Sequence, residues 1–272
     1  MKIIGLCKTF SGPEFIEAAI EELYPFLDKF VFVNSNVSWI GEKGNTVRKR
    51  IKQWAKKNDK DNKIIIFDVN AKSQGEQYQQ GYEFIKNNFS PDWVMMFDTD
   101  EVWDKLNLNI AKKYLVEGIE YNAIGANMHT YIKSPFYRVT PPEYCKPTIF
   151  IRPVHNSILG IRGNYVTPRI IPKDLFFHHF TYVRYNEEDV FKKIDTTLIG
   201  DKEAEVTTEL VNMEKWKKNK WDKLPKATNF HTTKHFEKSW HKIKVIGTKD
   251  LPNSVTKNDR IKQWMSDRLI AS

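Results

Sequence analysis

The stretch Trp93-Val94-Met95-Met96-Phe97-Asp98-Thr99-Asp100-Glu101 stays apolar for five residues and then turns acidic. An unbroken apolar run of that length reads as a strand buried on both faces. The carboxylates of Asp98, Asp100 and Glu101 have no packing role where they stand. A carboxylate taken out of water is costly unless a cation or a proton meets it. The end of this strand therefore presents oxygen ligands at the rim of a core, and such ligands suit magnesium or manganese. The competing reading is an ordinary turn opening the next helix, since Asp favours both places.

Upstream of this stretch, strand and helix patterns alternate. Lys2 to Cys7 is a short apolar strand, and residues 13–27 place Phe15, Ile16, Ala19, Ile20, Leu23 and Phe26 at helical spacing. Lys29 to Asn34 reads as a second strand and Thr46 to Asn58 as a helix with Val47, Ile51 and Trp54 on one face. Lys63 to Asp68 is a third strand, and Glu76 to Phe89 is an amphipathic helix. Trp93 to Phe97 is then the fourth strand. The alternation predicts an α/β fold, a mostly parallel sheet with helices on both faces. Ligands of such sheets sit beyond the carboxyl ends of the strands. Those ends deliver Lys8 and Thr9, then Asn34, Ser35 and Asn36, then Asp68, and finally Asp98, Thr99 and Asp100.

Downstream, residues 120–185 carry short β-like runs separated by Pro-rich turns, the pattern of a second half that closes over the site. Glu187 to Gly200 returns to helix, with Asn186 as a cap and acids in the first turn. The remainder is basic and rich in aromatics, as in Trp216-Lys217-Lys218-Asn219-Lys220-Trp221 and Trp240-His241-Lys242-Ile243-Lys244.

The bulk properties bound these readings. The chain has 272 residues, 40% of them hydrophobic, which suits one large domain or a domain with a small appendage. The two cysteines, Cys7 and Cys145, lie far apart, which argues for reduced thiols and a cytoplasmic setting and against thiolate metal binding. The first residues do not form a signal peptide, and no segment approaches the length of a membrane span. The formal net charge is +9. Residues 191–272 hold 18 Lys and Arg against 11 Asp and Glu, a balance of +7, which leaves +2 for residues 1–190. A basic surface interleaved with aromatics is the composition of a polyanion or membrane-surface contact, although a solvated lysine-rich face is the commoner cause.

Four strand ends in this order resemble the GT-A glycosyltransferases, and within them the family 2 type. The residues that carry the resemblance are Val31-Phe32-Val33-Asn34-Ser35-Asn36 with Gly44-Asn45-Thr46, then Ile65-Ile66-Phe67-Asp68, and then the Asp-x-Asp motif Asp98-Thr99-Asp100. Asn34 departs from the pattern, since many relatives have an acid there. The resemblance implies a GT-A, Rossmann-like catalytic domain over residues 1–190. Its nucleotide-sugar half would run to about residue 103 and its acceptor half over 104–190, with 191–272 as a basic helical extension.

It also implies a chemistry. Cleaving a sugar from a nucleoside diphosphate leaves negative charge on the departing phosphate, which Mn2+ or Mg2+ stabilises as a Lewis acid. Asp100 would bind the ion directly, and Asp98 would meet the ribose or the ion's waters. Thr9, Asn34, Asn36 and Asp68 would line the nucleotide, with Asp68 accepting from a donor on the base. A third ligand in this fold is often a late histidine. Alternation points the rings of His178 and His179 to opposite faces, and His179 is the favoured ligand, with His231 and His235 as a further pair. Arg184, Lys8 or Arg138 would neutralise the diphosphate. Glu143 and Asp189 are the candidates for the base that an inverting transfer needs, and Glu101 is placed to order the metal motif.

The functional expectation is thus a metal-dependent glycosyltransferase using a UDP-linked sugar, with a glycan acceptor favoured. A phage-type DNA glycosyltransferase acting on a modified base is the alternative, with the basic tail holding the nucleic acid. Nucleotidyl transfer also uses paired aspartates, but it usually has a Gly-rich loop after the first strand, and Cys7-Lys8-Thr9-Phe10-Ser11-Gly12-Pro13 has a single glycine. A non-catalytic polyanion-binding module completes the alternatives.

Overall fold

A computed structural model describes residues 1–10, 12–37, 46–118, 120–143, 145–154, 166–200, 218–219, 221–224 and 242–270. Four parallel strands form its centre: β1 (Ile3–Thr9), β2 (Lys29–Ser35), β3 (Ile64–Val69) and β4 (Trp93–Phe97), in the order β3-β2-β1-β4. Beyond β4 the sheet continues with β9 (Thr148–Ile151), β6 (Ala123–Gly125) and β10 (Arg169–Ile170). Strand β9 runs antiparallel to both its neighbours, which makes the sheet mixed at that side.

The period-two alternation of β4 divides the core. Met95 and Phe97 join one cluster with Ile16, Ile20 and Leu23 of α1 (Ile16–Leu23), Val47 and Ile51 of α2 (Thr46–Asn58), and Leu108 and Leu115 of α4 (Lys105–Glu117). Val94 and Met96 face the other way, onto Tyr78, Tyr82 and Ile85 of α3 (Gln74–Phe89). Helices therefore cover both faces, as the alternation in sequence predicts. Helix α3 seats closely because residue 81 is glycine: a Cβ there would stand 2.2 Å from Val33 Cγ2 and 2.5 Å from Leu6 Cδ1. Ser73 caps α3 by accepting the Glu76 amide at 3.2 Å, while Glu76 accepts the Lys72 amide at 2.7 Å. Helix α4 is absent from the sequence reading. Its apolar stripe is blurred by Leu106 and Val116, which point to solvent at 69% and 58% exposure.

A second sheet has the order β12-β8-β7-β11-β5, from β12 (Lys242–Val245), β8 (Tyr137–Thr140), β7 (Asn127–Ile132), β11 (Phe176–Tyr182) and β5 (Glu101–Val102). Asp98-Thr99-Asp100 is the turn by which the chain leaves β4 in the first sheet and enters β5 in the second. There Glu101 and Val102 pair antiparallel with His179 and His178 of β11. After β11 comes α5 (Glu187–Gly200), at the bounds expected from the sequence.

Among the described C-terminal residues, α6 (Asn253–Lys257) and α7 (Asp259–Ile270) follow β12. Leu251, Val255, Ile261 and Trp264 pack with Phe15, Ala18, Ala19 and Phe180 in one buried cluster. Trp221, in the basic aromatic stretch, is 1% exposed and packs against Ile132, Val139, Val190 and Ile194. Burial, and not stacking on a ligand, accounts for this tryptophan. Among the described residues no helix is long and apolar enough to cross a membrane.

Candidate functional site

The sheet order sets polar strand ends side by side. Thr9 pairs in register with Asn34, and Asn34 with Asp68, so β1, β2 and β3 present these side chains in a row. The Asn34 amide donates to Asp68 Oδ1 at 2.6 Å and to Asn36 Oδ1 at 3.4 Å. Arg48 of α2 holds the other Asp68 oxygen at 2.6 Å. The Thr9 hydroxyl lies 3.4 Å from Asn34 Oδ1, and Gln77 of α3 pins the backbone by donating to the Val33 carbonyl at 2.8 Å. Asp68 itself is about half exposed, at 48% of its side chain, so this carboxylate lies open at the rim.

At the end of β4 the turn is closed on itself. The Asp98 amide donates to the Glu101 carboxylate at 3.1 Å and the Glu101 amide to the Asp98 carbonyl at 3.1 Å. Glu101 is 1% exposed and so orders the motif from within. Asp98 Oδ1 receives the Lys8 ammonium at 2.9 Å and the Tyr78 hydroxyl at 2.7 Å. Asp100 is 3% exposed, and its Oδ2 receives Arg184 at 2.8 Å and Lys193 of α5 at 2.7 Å. His179 Nε2 lies 3.8 Å from Asp100 Oδ1. Burial by itself would raise the Asp100 carboxyl, but Lys193, Arg184 and His179 together hold it well below the usual carboxylate range.

Arg184 is fixed from several sides. It donates to the carbonyls of Phe180 and Val183 at 3.1 and 3.0 Å, and Glu14 Oε2 stands 3.9 Å from its Nε. Its guanidinium also packs on Gly12, whose φ of 76° and missing Cβ leave the space: a Cβ would lie 3.0 Å from the arginine Nη2.

The two histidines separate as strand alternation predicts. His178 faces away from Asp100, with Nδ1 2.7 Å from the Tyr131 hydroxyl and Nε2 3.3 Å from Asp104, the N-cap of α4. The side of the pair that meets Asp100 belongs to His179. Arg138 sits opposite Tyr131 across β7 and β8, among the residues of the second sheet. Asp189 is exposed in the first turn of α5, where Asn186 donates to it at 3.3 Å, and it stands one turn before Lys193 on the same helix face. Glu143 is buried at 7% exposure in the connection from β8 to β9. His231, His235, Gly44 and Asn45 lie outside the described residues. Sequence reasoning passed over Lys193, Tyr78, Arg48 and Glu14. Tyr78 reads as core, and its ring is; only its hydroxyl reaches the site. Lys193 carries a signal, since it follows Asp189 by one helical turn.

Among the described residues no group of three His, Cys, Asp or Glu side chains is arranged to hold a metal ion. Asp100 Oδ1 and His179 Nε2 stand 3.8 Å apart, between the about 3.0 Å that donors at about 2.1 Å from magnesium span at right angles and the about 4.2 Å they span when opposed. A carboxylate with an imidazole fits manganese or magnesium, and substrate oxygens or water would have to complete the shell.

No family model matches the chain, and no curated protein matches it. It is similar in fold to several solved structures. S. aureus TarS 1-349 in complex with UDP-GlcNAc is 12% identical over 79% of this chain and 70% of that one, with a TM-score of 0.44. The mannosyltransferase PcManGT from Pyrobaculum calidifontis in complex with GDP-Man and Mn2+ is 11% identical over 73% and 61%, at 0.46. HddC from Yersinia pseudotuberculosis complexed with GMP-PN is 11% identical over 72% and 100%, at 0.42. The chain spans only 42% of the longer S. aureus TarS structure. Likeness at this level assigns no activity to the chain.

Proposed function

We propose that the protein is a glycosyltransferase that takes a sugar from a nucleoside-diphosphate donor, UDP-linked, and passes it by single displacement to a glycan acceptor, with Mn2+ or Mg2+. The observation that carries this reading is the placement of Asp98 and Asp100 in the turn between the two sheets, each carboxylate met by cations. Such a corner collects positive charge around fixed acids at the carboxyl ends of parallel strands, where an anionic donor belongs.

Each residue then has a task. Asp68 accepts from the base while Arg48 and Asn34 hold its carboxylate in place. Asp98, anchored by Tyr78, meets the ribose. Asp100 and His179 hold the ion. When bound, that ion supplies Lewis acidity to the departing diphosphate. Lys8 and Arg184 add fixed positive charge on the same side. Asp189, exposed one turn from Lys193, is the better placed of the two bases to take a proton from an acceptor hydroxyl. Glu143, deep in the second half, is the lesser choice.

Incubation with Mn2+ and a panel of nucleotide sugars tests this proposal, with thermal shift and slow donor hydrolysis as readouts. A response to one or more donors is the expected result, and silence towards all of them, with and without metal, would sink it. A DNA acceptor is tested by retention on DNA at low salt, since phosphate contacts weaken steeply as salt rises. The burial of Trp221 removes one of the aromatics on which that version depended.

A further inference from the structure

Asp100 has two cationic partners on one oxygen, and they are not equivalent. Arg184 is 5% exposed at its side chain and is tied to two backbone carbonyls, so it cannot leave without stranding its charge in the core. Lys193 is 31% exposed and holds Asp100 through the end of a flexible four-carbon stem. Its ammonium is 2.7 Å from Asp100 Oδ2, while the other oxygen of the same carboxylate is the one that faces His179 at 3.8 Å. A divalent ion between Asp100 and His179 would therefore share one carboxylate with the Lys193 ammonium, and like charges held that near each other repel more strongly as water is excluded. Of the two cations on Oδ2, the lysine can move aside.

We propose that Lys193 neutralises Asp100 from one carboxylate oxygen before a divalent ion takes the other, and passes to the donor's diphosphate when ion and donor enter together. This rests on the nucleoside-diphosphate reading above. The exchange conserves charge pairing at each stage: Asp100 is met first by ammonium and then by the ion, and the ammonium is met first by carboxylate and then by phosphate oxygen. Lys193 and the ion thus compete for Asp100 when nucleotide is absent and cooperate when it is present. Helix α5, which carries Lys193 and Asp189 on one face, would be drawn toward the donor by the same exchange.

The test measures binding, not turnover. Lys193→Met keeps the apolar stem and removes the charge. Mn2+ alone, titrated against the protein and followed by the EPR signal of the free ion, is expected to bind Lys193→Met about 5- to 10-fold more tightly than wild type. UDP at saturating Mn2+, followed by calorimetry, is expected to bind the same variant about 10-fold more weakly, the loss of one charge-assisted contact. Lys193→Arg keeps the charge and should leave the affinity for Mn2+ alone near that of wild type. If Lys193→Met does not fold, Lys193→Gln is read in the same way. A purely structural lysine would lower both affinities or neither, so an unchanged or weaker Mn2+ affinity in the charge-removed variant overturns the proposal. Wild-type protein that binds neither Mn2+ nor UDP with Mn2+ overturns the donor reading itself, and the proposal falls with it.

Discussion

The Tyr78 hydroxyl donates to Asp98 Oδ1 at 2.7 Å, tying the first half of α3 to the turn that joins the two sheets. The ring of Tyr78 is fully buried and belongs to the core beneath the sheet, so one residue both packs the fold and sets the position of an acid at the site. Tyr78→Phe should keep the packing and lose the bond. Hydrogen bonds to charged groups contribute about 1.5–3 kcal/mol. A loss of unfolding free energy of that order, read by urea denaturation, is expected, with weaker donor binding. A free energy and affinity equal to wild type would show that the Tyr78 hydroxyl does not position Asp98.

Asp100→Ala leaves Arg184 buried without its carboxylate. Breaking a buried ion pair from one side costs about 3–5 kcal/mol. The lower end applies, because Lys193 can turn to water and Glu14 stays near Arg184 at 3.9 Å. Denaturant unfolding should register the loss, and Asp100→Ala should abolish donor turnover.

Asp68 lies at the open rim, so its ion pair with Arg48 adds little to stability, about 1 kcal/mol or less. In the proposed function it would contribute to ground-state and transition-state binding of the nucleotide alike. Asp68→Asn is therefore expected to raise the donor KM about 10-fold while kcat stays within about 3-fold of wild type. A fall in kcat with KM unchanged would remove Asp68 from base recognition.

His129 and Asp104 contribute to the pH dependence of stability. Burial first, then the neighbouring His178 and Arg138, push the His129 ring down from 6.5 to about 4, with Asp104 opposing. The unfolded chain takes up this proton as pH falls through 6.5, whereas the folded chain resists until about 4. Stability from His129 is thus present above 6.5 and lost progressively toward 4. Burial would raise Asp104, but hydrogen bonds from His178 and Asn107 bring it down from 3.8 to about 2. Its contribution is present above 3.8 and lost as pH falls toward 2. Urea midpoints measured from pH 7 to 4 should decline in wild type, and His129→Gln should flatten that decline.

Gly81→Ala tests the seating of α3. The added methyl would stand 2.2 Å from Val33 Cγ2. Overpacking of this kind costs about 1–3 kcal/mol, against which alanine returns about 1 kcal/mol of helix propensity. A net loss of thermal stability is expected, read by calorimetry. A gain would mean that α3 moves away from β1 and β2 without penalty.

Much of the first half was legible as pattern. Helix α2 and strand β4 stand at the residues that periodicity alone predicts, and β1, β2, β3 and α3 differ only by a residue or two at their ends. These elements each carry a complete period of apolar residues, because each is pressed between a sheet and a helix layer. Helix α4 was missed since its exposed Leu106 and Val116 carry no information about which face is buried. Strand β5 was missed because two residues, Glu101 and Val102, carry no period at all; only their pairing with β11 makes them a strand.

The acids themselves could be read from their position at the end of an apolar run, and so could the gathering of Thr9, Asn34, Asp68 and Asp98 at one edge, since parallel strands present their carboxyl ends on the same side, whereas the order β3-β2-β1-β4 that sets them side by side is decided by the fold. The partners of those acids could not. Lys193 lies 93 residues from Asp100 and Arg184 lies 84 away, and neither helix nor strand periodicity relates side chains across such distances. They meet because β11 pairs with β5 and α5 follows directly from β11. Local chemistry is written in the order of residues. The choice of which charge neutralises which belongs to long-range packing, where a buried carboxylate must find a cation from wherever the fold can supply one.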